Sequence, residues 1–224
     1  MIHFHIVTLF PDSVEPYLKS SIIGKAREKG LVKVSYYDPK NYTRDKYGRV
    51  DRRPYGGGPG MVLEPDGMLR SVEAALKKTK SYRGEPSVKS GTEVIFFSTA
   101  GKVFDEPMAA KLSKKKHVVM ICGRYEGVDA RVQKILKAKE VSVGPYVLTG
   151  GELPAATLVD AISRFVPGVL GKIESLEASR VSSPEVYTRP EILVWKKKKY
   201  RVPKVLTTGN HAEIDKWRRE KRSS

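Results

Sequence analysis

The stretch from Ile121 to Gly171 constrains the fold more than any other part of the chain. It opens with ICGRYEGVDARV (Ile121–Val132), passes through VGPYVLTGGELPAATLVDAISRF (Val143–Phe165) and closes with VPGVLG (Val166–Gly171). Two glycine-rich turns each follow an apolar run and each precede a helical pattern. An apolar strand ending in a glycine loop before a helix is where open α/β sheets place their ligands. Glycine lets backbone N–H and C=O groups come close to a ligand. The site is therefore expected here, with the rest of the chain supplying its walls and its substrate platform.

Around this stretch, strand and helix patterns alternate. Ile2 to Thr8 has a two-residue rhythm, with Ile2, Phe4 and Ile6 on one face. Asp12 or Ser13 is placed to cap a helix running to about Lys29, and Gly30 to stop it. Leu31 to Tyr37 reads as a strand. Asp66 is placed to cap a helix through Met68, Leu69, Val72, Ala75 and Leu76. Ser81 to Thr92 reads as a loop and Glu93 to Ser98 as a buried strand. Asp105-Glu106-Pro107 starts a short helix. His117 to Cys122 is a strand, Gly127 to Lys139 a helix, Val141–Val143 and Tyr146–Leu148 short strands, and Glu152–Phe165 a helix. This alternation predicts an α/β fold with a mostly parallel sheet.

Two segments depart from the pattern. Lys40 to Met61 has no regular period, and it carries five arginines or lysines between Arg44 and Arg53 before Gly56-Gly57-Gly58-Pro59-Gly60. Tyrosines among basic residues suit stacking on bases and pairing with phosphates. No Gly-Lys-Ser/Thr follows the glycines, so a P-loop is excluded. Beyond a polar linker at Lys172–Pro184, the segment from Trp195 to Ser224 holds eleven lysines and arginines against three acids, with Trp195, Tyr200 and Trp217 interleaved. This reads as a small basic domain or arm that grips a phosphate backbone. The net charge of +17 points to a polyanionic partner, nucleic acid before membrane.

Cys122 is the only cysteine, which favours a cytoplasmic setting, and MIHFHIVTLF is too short for a membrane span. The four histidines (3, 5, 117 and 211) are scattered along the chain, so no metal ligands are predicted. Gly-x-Ser-x-Gly and a dinucleotide Gly-x-Gly-x-x-Gly after the first strand are both absent. The residues alone reach a nucleic-acid-modifying α/β enzyme with a glycine-lined ligand site, but they do not name its reaction.

FPD at Phe10–Asp12, RPYGGGPGMVL at Arg53–Leu63, ICGRYEGVDARV, VGPYVLTGGELPA, RFVPGVLG, YTRPE at Tyr187–Glu191 and GNHAEIDKWR at Gly209–Arg218 follow one another in an order and spacing that resembles the bacterial tRNA (guanine-N1)-methyltransferases of the TrmD family. The resemblance spans nearly the whole chain. It implies a SPOUT-type α/β fold with a deep trefoil knot, an exception to unknotted topology, plus a small helical C-terminal domain. The implied divisions are a knotted catalytic domain at 1–171, a linker at 172–186 and a basic tRNA-binding domain at 187–224. It further implies a homodimer, S-adenosylmethionine as methyl donor with magnesium assisting, and N1 of guanosine 37 in tRNA as acceptor.

Carried over residue by residue, the resemblance implies cofactor contacts at Phe96, Phe97, Ser98, Gly123, Arg124, Tyr125, Glu126, Val143, Gly144, Tyr146, Val147, Leu148, Gly150 and Gly151. It implies tRNA contacts at Arg53, Tyr55, Gly57, Gly58, Arg189, His211, Trp217 and Arg218. Arg164 matches the arginine beside the guanine and takes the O6 or orienting role. The family's general base is a linker aspartate. A gap-free count puts Ser179 in its place here, and a second acidic position falls near Ser183. Glu177 becomes the candidate base, ahead of Glu174 and Glu185. Two alternatives stay open at this point: an RNA-binding protein that has lost catalysis, and a knotted methyltransferase for another RNA.

Overall fold

β1 (Ile2–Val7) is the strand on which the sheet is built, because it pairs in parallel with β2 (Val32–Tyr37) on one side and β6 (His117–Ile121) on the other. The computed structural model describes residues 1–79, 91–170 and 185–222. The chain separates into two compact units, Met1–Leu170 and Gly171–Ser224, the second described over 185–222. The first holds a five-stranded sheet in the order β2-β1-β6-β5-β7, where β5 is Thr92–Val103 and β7 is Lys139–Ser142. Every pairing in it is parallel.

Parallel strands are apolar on both faces because helices cover both. On one face Phe4, Ile6, Ile95, Val118 and Met120 pack with Leu18 of α1 (Glu15–Leu18), Ile23 of α2 (Ser21–Glu28), Leu112 of α4 (Glu106–Leu112) and Leu158 of α6 (Glu152–Ser163). On the other, Val7, Val94, Val119 and Ile121 pack with Met68 and Val72 of α3 (Pro65–Lys78) and Val132 of α5 (Ala130–Leu136). Each fully buried side chain of this size contributes about 1.5–3 kcal/mol of transfer free energy. Among the described residues, no helix is long and apolar enough to cross a membrane.

Several local expectations need correction. The helix expected up to Lys29 is broken into a 3₁₀ turn at Pro11–Ser13, α1 and α2, with Ser21, the first residue of α2, at φ 50°. Gly24 permits this break, since a Cβ there would lie 2.1 Å from the Lys19 carbonyl oxygen. Asp66 does not cap α3. Its carboxylate instead accepts from the Arg44 amide at 3.1 Å and pairs with Arg70 at 2.9 Å, drawing the basic loop onto the helix. Asp105 does cap α4, accepting from the Met108 amide at 2.8 Å.

The helix expected from Gly127 is shorter, capped by Asp129 and ended by Lys137 in the left-handed conformation. Tyr146–Leu148 is loop, not strand. β5 outruns its expected end by passing through a register shift between Phe97 and Lys102. The loop expected at Ser81–Thr92 falls largely outside the described residues.

The second unit is not purely helical. It contains an antiparallel hairpin of β8 (Ile192–Trp195) and β9 (Lys198–Arg201), a 3₁₀ turn at Lys204–Thr207, and α7 (His211–Arg222).

Candidate ligand cavity and basic surfaces

The middle of β5 and the loops that follow β6 and β7 meet in one place. Residues 96–99, 123–128, 141–144 and 146–151, with Pro154 of α6, line a cavity of about 360 Å³. All fourteen residues expected to contact a cofactor lie on it. Cavities of this size suit a small-molecule ligand.

The loops are stitched to each other by backbone. The Gly151 amide donates to the Gly123 carbonyl at 3.0 Å, and Arg124 and Gly150 form an antiparallel bridge. The Glu126 amide donates to the Met61 carbonyl at 2.9 Å, which ties the middle loop to the end of the glycine-rich segment. Two glycines are required by space. A Cβ on Gly151 would lie 2.5 Å from Cys122 Cα, and one on Gly150 would lie 2.4 Å from Arg124 Nε. Tyr125 holds a left-handed φ of 58° on the cavity wall, an uncommon conformation for a bulky residue that its neighbours must enforce.

A buried charge pair sits behind the loops. Glu152, the first residue of α6, is 2% exposed, and its Oε1 accepts from the Thr8 hydroxyl at 2.6 Å. Its Oε2 lies 2.9 Å from Arg124 Nε, although that N–H does not point along the line between them, so the two compensate each other by charge. The Arg124 guanidinium stacks 4.6 Å from the centre of the Phe10 ring and donates to the Thr149 carbonyl at 3.3 Å. One arginine thus joins the end of β1 to both glycine loops. The sequence reading missed Glu152 and Thr8 as site residues. The available signal was an acid directly after Gly150-Gly151, at a helix start, with an arginine in the other glycine loop. Beside them, burial pushes the Cys122 thiol well up, and the Glu152 charge adds to this, so Cys122 packs rather than reacts.

Other expected residues lie elsewhere. Arg164 caps the C-terminal end of α6, outside the cavity lining. Glu177, with Glu174, Ser179 and Ser183, lies outside the described residues. Glu185 is described and pairs with Lys221 at 2.9 Å in the second unit.

Arg53, Tyr55, Gly57 and Gly58 lie on the exposed turn between β3 (Asp51–Arg52) and β4 (Val62–Leu63), where Gly56, Gly57, Gly58 and Gly60 all have positive φ. A Cβ on Gly60 would lie 2.5 Å from Glu126 Oε1, so this basic turn reaches the cavity. Arg52 is held by Glu64 at 2.7 Å and Asp45 at 3.4 Å. In the second unit Arg189 and His211 are exposed, the Trp217 ring lies 6.3 Å from that of Tyr187, and Arg218 pairs with Asp215 at 3.1 Å.

Three of the four histidines are not scattered in space. β1 and β6 pair with His3 opposite His117, and His5 Nε2 lies 3.1 Å from His117 Nδ1. Only strand register brings together positions so far apart in the sequence.

Residues 2–224 match the family described as tRNA (Guanine-1)-methyltransferase TrmD. The chain is 43% identical over 225 residues to the tRNA (guanine-N(1)-)-methyltransferase of Dictyoglomus turgidum, covering 98% of this chain and 84% of that protein. It is 41% identical over 240 residues to the protein of that name from Lachnoclostridium phytofermentans, covering 97% and 86%. It is also 41% identical over 217 residues to that of Haemophilus influenzae strain 86-028NP, covering 95% and 83%.

Proposed function

Because the chain belongs to the tRNA (guanine-1)-methyltransferase TrmD family, we propose that it methylates N1 of guanosine 37 in tRNA, using S-adenosylmethionine and acting as a homodimer. The observation that carries this reading is the convergence of two glycine-rich loops and the middle of β5 on one cavity of about 360 Å³. The residues present fit the donor. Val143, Val147 and Leu148 offer apolar wall for a flat base, the glycine backbones offer hydrogen-bonding groups, and Glu126 offers a carboxylate to a cationic ligand. When bound, S-adenosylmethionine supplies a methyl group on a sulfonium centre.

The protein's own residues have two tasks. Guanine N1 carries a proton at neutral pH, so a base must take it as the N1–methyl bond forms and the sulfur–methyl bond breaks. A cation must steady the charge that develops on O6. We assign the first task to Glu177 and the second to Arg164. α6 starts at the cavity and ends at Arg164, and twelve residues at ~1.5 Å each put that arginine roughly 18 Å along the axis. Arg164 therefore serves the cavity of a second copy, which gives the homodimer a chemical purpose. The target base must leave its stack to enter, and the exposed Arg53–Gly60 turn and the basic second unit are suited to hold the tRNA around it.

Digestion of tRNA methylated by the protein, with mass spectrometry of the nucleosides, tests the assignment. N1-methylguanosine is the expected product. N2- or 7-methylguanosine, or methylated adenosine, would overturn it.

A further inference from the structure

A second site stands at the opposite end of the sheet from the cavity. His3 and His5 are two residues apart and so share a face of β1, and His117, the first residue of β6, lies directly opposite His3. About five residues of strand, roughly 16 Å, separate His117 from the glycine loop that follows β6. We propose that His3, His5 and His117 form a three-nitrogen site for one divalent d-block cation, Zn²⁺ foremost.

The geometry carries the proposal. One donor atom from each ring lies within 4.8 Å of the other two, and among the described residues no other group of histidine, cysteine, aspartate or glutamate does this. The 3.1 Å between His5 Nε2 and His117 Nδ1 is close to the ~3.3 Å edge of a tetrahedron with zinc–nitrogen bonds of about 2.0–2.1 Å. The outer nitrogens are already held. His3 Nε2 is bonded to Ser35 Oγ at 2.8 Å and His5 Nδ1 to the Tyr37 hydroxyl at 2.9 Å. Such outer-shell partners fix ring orientation in metal sites, and they leave His3 Nδ1 and His5 Nε2 as the ligating atoms.

The protonation state agrees. Burial, then the charges of Lys33 and His117, pulls His3 down to about 4. Burial, then the neighbouring histidines, takes His5 to about 3, and burial also lowers His117. Neutral imidazole is the ligating form. The chemistry of the set selects the ion. It offers three imidazoles and no carboxylate, so oxygen-seeking magnesium and calcium are disfavoured and an imidazole-seeking ion is favoured. Binding would displace the proton shared by His5 and His117 and clamp β1 to β6.

The test uses the untagged full-length chain, stripped by a chelator. Titration with Zn²⁺ against a chromogenic chelator is expected to give one ion per chain. Loss of one ligand in His117→Gln should weaken binding by at least the ~10–100-fold that loss of an outer-shell partner costs. His211→Gln, in the other unit, should leave it unchanged. Co²⁺ loading of the wild type should give the intense visible d–d absorption of a tetrahedral site, which decides the matter even if His117→Gln fails to fold. Absence of that spectrum, no retained zinc, or binding that survives His117→Gln in a folded variant would reduce the trio to a neutral hydrogen-bonded cluster and overturn the proposal.

Discussion

Gly151 and Glu15 show how single residues set the shape of the cavity and the stability of the fold. A methyl on Gly151 has nowhere to go, because its nearest neighbour is the Cys122 backbone at 2.5 Å. Relief requires the two glycine loops to part, at about 1–3 kcal/mol for such overpacking. Gly151→Ala is therefore expected to weaken S-adenosylmethionine binding about tenfold or more in calorimetry, with little change in circular dichroism. Glu15 is an acid-side stabiliser. Burial alone would raise its carboxyl, but hydrogen bonds from Arg27, Tyr36 and Lys19 outweigh it and hold the group at about 2 instead of 4.5. The folded value lies below the unfolded one, so this stabilisation is fully present above about pH 4.5 and is lost as the pH falls toward 2. Glu15→Gln should lower stability at pH 7 by about 1–3 kcal/mol, since it leaves charged donors poorly matched. It should also flatten the decline of the melting temperature between pH 5 and 2, and an unchanged acid slope would contradict the assignment.

At the scale of elements, the hairpin of the second unit is built against its own turn. Lys196 and Lys197 both have positive φ, 47° and 64°, the backbone of a type I′ turn that Asn-Gly adopts far more readily. Replacing the pair by Asn-Gly should raise stability by about 1 kcal/mol and, by removing two cations, weaken tRNA binding. Thermal melts and filter binding would report the two effects separately.

Legibility in the sequence also follows element type. The five sheet strands were readable because apolar runs bounded by breakers are local signals, and the glycine loops because their composition is. Tyr146–Leu148 misled because its apolar run looks like a strand, whereas it has no ladder partner and forms the cavity wall. The Arg124–Glu152 pair left only the signal of an acid after Gly150-Gly151, and the histidine trio left none, because each depends on how distant strands and loops register against one another.

For the whole molecule, the net charge of +17 is the dominant long-range property. Its carriers include the exposed Arg53 turn of the first unit and the basic hairpin and helix of the second. Binding through several such phosphate contacts releases counterions, so affinity for tRNA is expected to fall at least about tenfold between roughly 50 and 200 mM salt. Binding of S-adenosylmethionine in the cavity should change little over the same range, and a parallel loss of both would argue against separate roles for surface and cavity.

The central claim, that this glycine-lined cavity serves methylation of guanosine 37, is tested most directly with two tRNA transcripts that differ only at position 37, guanosine in one and adenosine in the other. Methyl transfer from labelled S-adenosylmethionine under single-turnover conditions should modify the first and leave the second unmodified. Equal labelling of both, or labelling of neither while donor and tRNA remain bound, would contradict it.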